Sequence, residues 1–225
     1  VKDAWLSLVK ADPRPWLLEE SNPAVRAATL VRLLGRHPDD PEVVEARARA
    51  MQVDPIKGIL DAQHPRGFWV KPGPGYGPKY TGTVWNLMFL DQLGADPADP
   101  RVQAACSYMM KWSSTSAGGF GCSAAKEERN PPPSLGLHCL NGNILRALLG
   151  FGHLDDPRVQ ASIDWASRRI LGEAVDRWYA STPGPGFRCG ANEGLPCAWG
   201  AVKVMRALAA IPLRRRSARV KRAVA

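Results

Sequence analysis

The chain repeats itself, and this repeat limits the available folds more than any other feature. The segments DDPEVVEA, ADPRVQAA, DDPRVQAS and SARVKRA align on Val43, Val102, Val159 and Val220, at spacings of 59, 57 and 61 residues. Each follows an apolar stretch with helical periodicity that ends in glycine or proline. Asp-Pro is typical of a helix start, because the acid caps free amides and proline lacks a donor that would go unused there. Each repeat therefore predicts two helices.

Helix pairs that recur at a fixed period stack on one another, because each pair buries its apolar stripe against the next. We therefore predict an all-α fold of repeated helical hairpins. It occupies residues 1–225 as a single repeat domain, with repeats at about 16–54, 55–114, 115–171 and 172–225. A chain of 225 residues that is 45% hydrophobic can bury such a core without disulfides or metal.

A glycine-aromatic loop recurs between the repeats, as PRGFW, AGGFG and GPGFR. Glycine allows the bend, and the aromatic ring can fill the gap between neighbouring helix pairs. With the segments ILDAQHPRGFW and YTGTVWNLMFLDQLG, this pattern resembles the repeat of the α/α-toroid superfamily. That superfamily contains squalene-hopene cyclases, other terpenoid cyclases and the β subunits of protein prenyltransferases. The resemblance covers about residues 55–211.

The resemblance implies that Gln63, Gly67 and Phe68 brace outer helices, while inner helices line a cavity for isoprenoid chains. Four repeats fall short of the family's closed ring, so we expect an incomplete toroid. The acidic Asp-x-Asp-Asp protonation motif of the cyclases is absent. The adjacent aspartates at 39–40 and 155–156 stand at predicted helix starts, where capping explains them.

Four of the five cysteines occupy equivalent positions in successive repeats. Cys122 and Cys189 each follow a loop phenylalanine by two residues, and Cys139 and Cys197 each begin an inner helix. Thiolates at helix N-termini are stabilised by the dipole and the free amides. Four of them can enclose zinc or, alternatively, hold an iron–sulfur cluster. The pattern thus predicts a shared metal site, with buried inert thiols and redox-active thiols as alternatives.

Two further residues bear on this site. His138 could replace one cysteine as a ligand, since borderline metals accept imidazole, although a hydrogen-bonded loop histidine is an alternative. Cys106 lies on a predicted outer helix and is expected in the core.

The same end of the repeats collects aromatic and polar side chains. Glu193 is the candidate general acid or base, with a capping carboxylate as the alternative. The Gly/Pro-rich stretch 69–82 has the length of a lid. We expect an apolar ligand to contact Tyr80, Asn141, Asn143 and the inner-helix aromatics Trp85, Phe89 and Trp199. Plain core packing is the alternative for the three inner-helix aromatics.

The net charge of +9 is concentrated at one end. The last twelve residues carry six basic side chains and no acid, which leaves +3 for the rest of the chain. A solvated helix face explains this run, and contact with a polyanion is the alternative. We find no zinc-finger, helix-turn-helix or other specific nucleic-acid signal, and no membrane span. The odd cysteine number favours a reducing compartment, so we expect a cytoplasmic protein.

Two classes of function follow from these patterns. The first is a binding or structural module with a cysteine metal site and an apolar face for a lipid, an isoprenoid or a protein partner. The second is a terpenoid cyclase or prenyltransferase-like enzyme acting on an isoprenoid substrate. One fold can host both, and the missing acid motif favours the first.

Overall fold

The computed structural model describes residues 4–121, 128–132, 136–173 and 197–225. Within these ranges the chain forms ten α-helices and no β-strand, which confirms the all-α prediction. Short 3-10 helices lie at Ala4–Leu8 and Leu213–Arg215. The helices are α1 Arg14–Leu17, α2 Pro23–Arg32, α3 Pro41–Ala50, α4 Ile56–Asp61, α5 Thr83–Leu93, α6 Pro100–Ser113, α7 His138–Gly150, α8 Pro157–Leu171, α9 Ala198–Ala209 and α10 Ala218–Val224.

Helices α2 to α10, apart from the short α4, correspond to the predicted inner and outer helices of the four repeats. Capping fixes where the outer helices begin. The carboxylates of Asp40, Asp99 and Asp156 each accept a hydrogen bond from the backbone N–H two residues later, and proline follows each aspartate. Ser217 caps α10 in the same manner, accepting from the N–H of Val220. The local sequence therefore determines these helix starts.

The residues up to Asp61, together with Leu93–Asp96, form one compact unit. Its main packing is between α2 and α3, and Arg26 pairs with Glu42 across them at 3.5 Å. Its core consists of aliphatic side chains, among them Leu30, Val43, Ala46, Ile56 and Leu60. The prediction of one repeat domain over residues 1–225 stays a prediction.

Residues 62–92 and those from Pro97 onward form the second compact unit. Here α7 packs most extensively against α9, and α8 contacts α7, α9 and α10. Gly142 lets the two inner helices approach closely, because a Cβ there would lie 2.6 Å from the carbonyl carbon of Lys203. Asp91 on α5 pairs with Arg146 on α7 at 3.0 Å. Inner helices of consecutive repeats are therefore neighbours in this unit.

The first glycine-aromatic loop lies against α6. Gln63 Nε2 donates to the carbonyl oxygen of Arg101 at 2.9 Å, and Gly67 lies directly against the backbone of Ala104. Gly118 makes the same approach to Ala161, which holds the place of Ala104 in the next repeat.

These contacts show that the first and second loops align one residue away from the alignment that their sequences predict. Because Gly67 corresponds to Gly118, the partner of Phe120 is Trp69, whereas the sequence paired it with Phe68. Both Trp69 and Phe120 are buried. The third loop, at 184–188, lies outside the described residues.

The basic C-terminal segment contacts the acidic side chains of α8 and its flanks. Arg219 pairs with Asp164 and, at 3.0 Å, with Glu173. Arg222 also pairs with Glu173, at 2.7 Å, and Arg215 pairs with Asp155. Much of the basic run therefore lies on a solvated helix face that is tied to the neighbouring helix.

A bilayer-spanning helix must be both long and apolar. No helix in the described parts of the chain meets both conditions.

Candidate functional site

An aromatic cluster forms at the start of α5. The rings of Tyr76 and Tyr80 lie 5.5 and 4.9 Å from the ring of Trp85, measured between centroids. Trp85 Nε1 donates to the carbonyl oxygen of Tyr76 at 2.9 Å. Tyr80 is exposed, whereas Trp85 and Phe89 are half-buried. The structure thus brings Tyr80 and Trp85 together, with Phe89 one helical turn further along α5.

The 69–82 loop is attached to α5 and α6 by hydrogen bonds along its length. The backbone N–H of Trp69 donates to Thr83 Oγ1 at 3.1 Å, and that of Gly73 donates to Tyr108 Oη at 2.7 Å. Burial raises the pKa of Tyr108 to about 12, so its hydroxyl stays protonated at neutral pH. The 69–82 loop is therefore held against α5 and α6 in this structure, and its role as a lid stays a prediction.

Polar side chains are buried at the start of α7. Ser162 on α8 donates to Asn141 Oδ1 at 2.9 Å, and both residues are fully buried. Burial lowers the pKa of the buried His138 to about 3, and the nearby charge of Arg169 acts in the same direction. The imidazole is therefore neutral at physiological pH. Asn143, two residues beyond Asn141, is half-buried.

The start of α9 brings two of the predicted metal ligands to one place. Cys197 is the N-cap residue, and its Sγ accepts from the N–H of Gly200 at 3.3 Å. Burial lowers the pKa of Lys203, while the nearby Cys139 and Cys197 thiols act in the opposite direction. The Lys203 ammonium also lies 4.2 Å from the ring centroid of Trp199. Cys139 and Cys197 are thus neighbours of the same lysine.

The remaining predicted site residues, Cys122, Cys189 and Glu193, lie outside the described residues. The convergence of four sulfurs and the enzymatic alternative that depends on Glu193 therefore stay predictions. Among the residues that are described, no group of three or more His, Cys, Asp or Glu side chains is placed to hold a metal ion. Cys106 is fully buried, and burial raises its pKa to about 12, as expected for a core thiol.

A groove of about 440 Å³ lies between α8 and the second glycine-aromatic loop, residues 117–121. Trp165 lines it, with the Arg169 guanidinium 4.7 Å from the centroid of the indole ring. The imidazole of His138 lies 5.5 Å from the same ring. Among described residues the groove is lined by Ser116, Ala117, Gly118, Ala161, Asp164, Trp165, Arg168 and Arg169.

Neither Trp165 nor Arg169 was predicted to belong to a site, although the repeat alignment contains a signal. Trp165 follows Val159 at the same distance at which Tyr108 follows Val102, and Arg169 likewise takes the place of Trp112. An arginine where the preceding repeat has a tryptophan indicates a change of chemistry at a shared position. This difference matters only if the side chain is buried, and Arg169 is only 4% exposed.

No protein-family profile matches the chain, and no curated protein matches it.

Proposed function

We propose that the protein is a helical-repeat binding module of the reducing cytoplasm that holds an apolar ligand of the isoprenoid or lipid class. Helices α5, α7 and α9 form the inner row, and α6, α8 and α10 the outer row, of an incomplete α/α toroid. The free thiols of Cys106, Cys139 and Cys197, among the described residues, support a reducing compartment.

The exposed apolar face of α9 carries this proposal. Trp199 is 66% exposed and Val202 is 60% exposed, and they lie three residues apart on one side of the helix. The opposite side is buried through Val204, Ala207 and other residues that pack into the core. An exposed apolar face of this kind on a helix whose other side is buried is suited to binding an apolar molecule.

Replacing Trp199 tests this face. We expect farnesol, an isoprenoid alcohol used below its aggregation limit, to bind the wild-type chain in equilibrium dialysis. Trp199→Ser should weaken binding at least about tenfold, because the indole is the largest apolar surface on this side of α9 and burying such a side chain is worth roughly 1.5–3 kcal/mol.

Trp16→Ser is the matched control, since Trp16 is 67% exposed but belongs to the other compact unit. It should leave farnesol affinity unchanged. Absence of binding to the wild type, or equal losses in both variants, would contradict the proposal.

We also propose that Cys139 and Cys197 hold zinc together with Cys122 and Cys189, with an iron–sulfur cluster as the alternative. Support comes from the position of Cys139 and Cys197, which both lie near Lys203. Protein purified without chelator should contain about one zinc ion per chain by elemental analysis, since four thiolates complete one tetrahedral site.

Substituting single cysteines distinguishes ligands from ordinary thiols. Cys197→Ser should lose the metal, whereas Cys106→Ser should retain it because Cys106 is buried in α6. Iron with labile sulfide in place of zinc would select the cluster. A metal-free wild type, or undiminished metal in Cys197→Ser, would rule out this site.

A further inference from the structure

The stretch from residue 197 to the C-terminus is basic and contains no acid. It carries eight lysine and arginine side chains. Arg215, Arg219 and Arg222 pair with acidic residues of other elements. Arg206 and Arg214 are exposed, and within the described part of the chain neither forms an ion pair. Positive charge is therefore left available on this part of the surface.

Arg206 lies on the same side of α9 as the exposed apolar residues. Trp199, Val202 and Arg206 follow one another at intervals of three and four residues, which places them on one helix face. All three side chains are exposed. Lys203 stands at the edge of this face, where its ammonium lies 4.2 Å from the ring centroid of Trp199. The exposed face of α9 thus combines an indole and an aliphatic side chain with two cations.

The residues that follow α9 are held at its C-terminal end. Arg216 Nε donates to the carbonyl oxygen of Ile211 at 2.8 Å, and its Nη2 donates to that of Ala209 at 2.6 Å. These bonds keep Leu213 and Arg214 close to the last turn of the helix. Leu213 is 73% exposed, so another apolar side chain stands next to an exposed arginine here.

Apolar and basic side chains in this combination match the two components of a membrane surface. Tryptophan favours the boundary between headgroups and acyl chains, because its ring is apolar and its N–H is polar. Basic side chains attract anionic headgroups, and their aliphatic stems lie along the apolar boundary. A soluble polyanion would match the charges but would leave the indole of Trp199 in water. The paired chemistry therefore favours a bilayer over a soluble partner.

We propose that the exposed face of α9, together with Leu213 and Arg214, docks on the anionic surface of a lipid bilayer. The helix lies parallel to the bilayer, with Trp199 and Val202 entering the boundary and Arg206 contacting headgroup phosphates. The inference rests on the function proposed above, because it uses the same apolar face, and it names a membrane as the source of the lipid.

Sedimentation with vesicles tests the inference. The full chain is mixed with vesicles of phosphatidylcholine and phosphatidylglycerol in equal parts, or with vesicles of phosphatidylcholine alone. We expect at least about tenfold tighter binding to the anionic vesicles, since each basic residue near such a surface strengthens binding roughly fivefold and at least two take part. Added salt should weaken this binding, because it screens the attraction between arginine and headgroup.

Substitutions on the face separate apolar contact from charge. Trp199→Ser should weaken binding to the anionic vesicles at least about tenfold. Arg206→Glu should have an effect of similar size, because it replaces an attracted charge with a repelled one. It should leave the binding of uncharged farnesol as in the wild type.

Two matched controls come from the other compact unit. Trp16→Ser and Arg32→Glu make the same changes at exposed positions there, and both should leave vesicle binding unchanged. Circular dichroism checks that every variant is folded.

The outcomes distinguish this inference from the proposed function. A wild type that binds farnesol but not anionic vesicles would overturn the inference alone, as would unchanged vesicle binding by folded Arg206→Glu. Unchanged vesicle binding by folded Trp199→Ser would assign the attraction to charge, as expected for an acidic protein or a nucleic acid, and would also overturn it. A wild type that binds anionic vesicles but not farnesol would support docking on a bilayer and contradict the proposed single-molecule ligand.

Discussion

Gly142→Ala is expected to destabilise the protein by about 3 kcal/mol, although in an open helix the same change stabilises by roughly 1 kcal/mol. The sign reverses because the new Cβ would lie 2.6 Å from the carbonyl carbon of Lys203 and 2.7 Å from the nitrogen of Val204. Both atoms belong to the backbone of α9, so no side chain can rotate away. Helix α9 must shift from α7, which disturbs the most extensive helix contact in the second unit.

Equilibrium unfolding in urea measures this loss of free energy. Gly58→Ala is the control, since Gly58 is also a helical glycine but is exposed, and a Cβ there would meet only the end of the Asp54 side chain. Gly58→Ala should be neutral or slightly stabilising. A Gly142→Ala protein as stable as the wild type would mean that α7 and α9 do not approach as closely as described.

Gly67→Ala should cost about 4 kcal/mol, through backbone strain and steric overlap acting together. Gly67 has φ +92°, a conformation that costs a residue with a Cβ about 1–2 kcal/mol. The added methyl group would also lie 2.5 Å from the carbonyl oxygen of Ala104. We expect a lower urea midpoint and earlier proteolysis of the loop that Gln63 and Gly67 hold against α6.

Gly152→Ala separates the two causes. Gly152 has φ +88°, but no atom lies within 4 Å of the place that a Cβ would take there, so only the strain remains. Its cost should be roughly 1–2 kcal/mol. Equal losses in both variants would show that the approach of Gly67 to α6 contributes nothing to stability.

The helix pairs could be predicted from sequence because their signals are local. An aspartate such as Asp99 or Asp156, followed by proline, specifies a helix start regardless of the rest of the fold. The loop register could not be predicted to the residue. Two consecutive glycines, Gly118 and Gly119, allow two alignments, and only the contact of Gly118 with Ala161 on α8 selects one.

The candidate sites also have features that the sequence predicted and features that only the structure revealed. Tyr80 and Trp85, which the sequence assigned to one ligand site, lie together at the start of α5, and Cys139 and Cys197 are both near Lys203. The burial of Arg169 could not be read from sequence, because its charge alone would have placed it on the surface. Sequence patterns therefore locate a region, while the chemistry inside it depends on tertiary contacts.

The ion pairs that join α10 to Asp164 on α8 and to Glu173 just after it make the packing of α10 sensitive to ionic strength. Helix α10 has only seven residues, of which Val220 and Ala223 are buried, and Arg219 and Arg222 tie it to Asp164 and Glu173. Such partly exposed pairs are worth little individually and are screened over a distance of about 8 Å at physiological salt. The contact between α7 and α9, by contrast, is apolar and close-packed. Rising salt therefore loosens α10 before it disturbs the contact between α7 and α9.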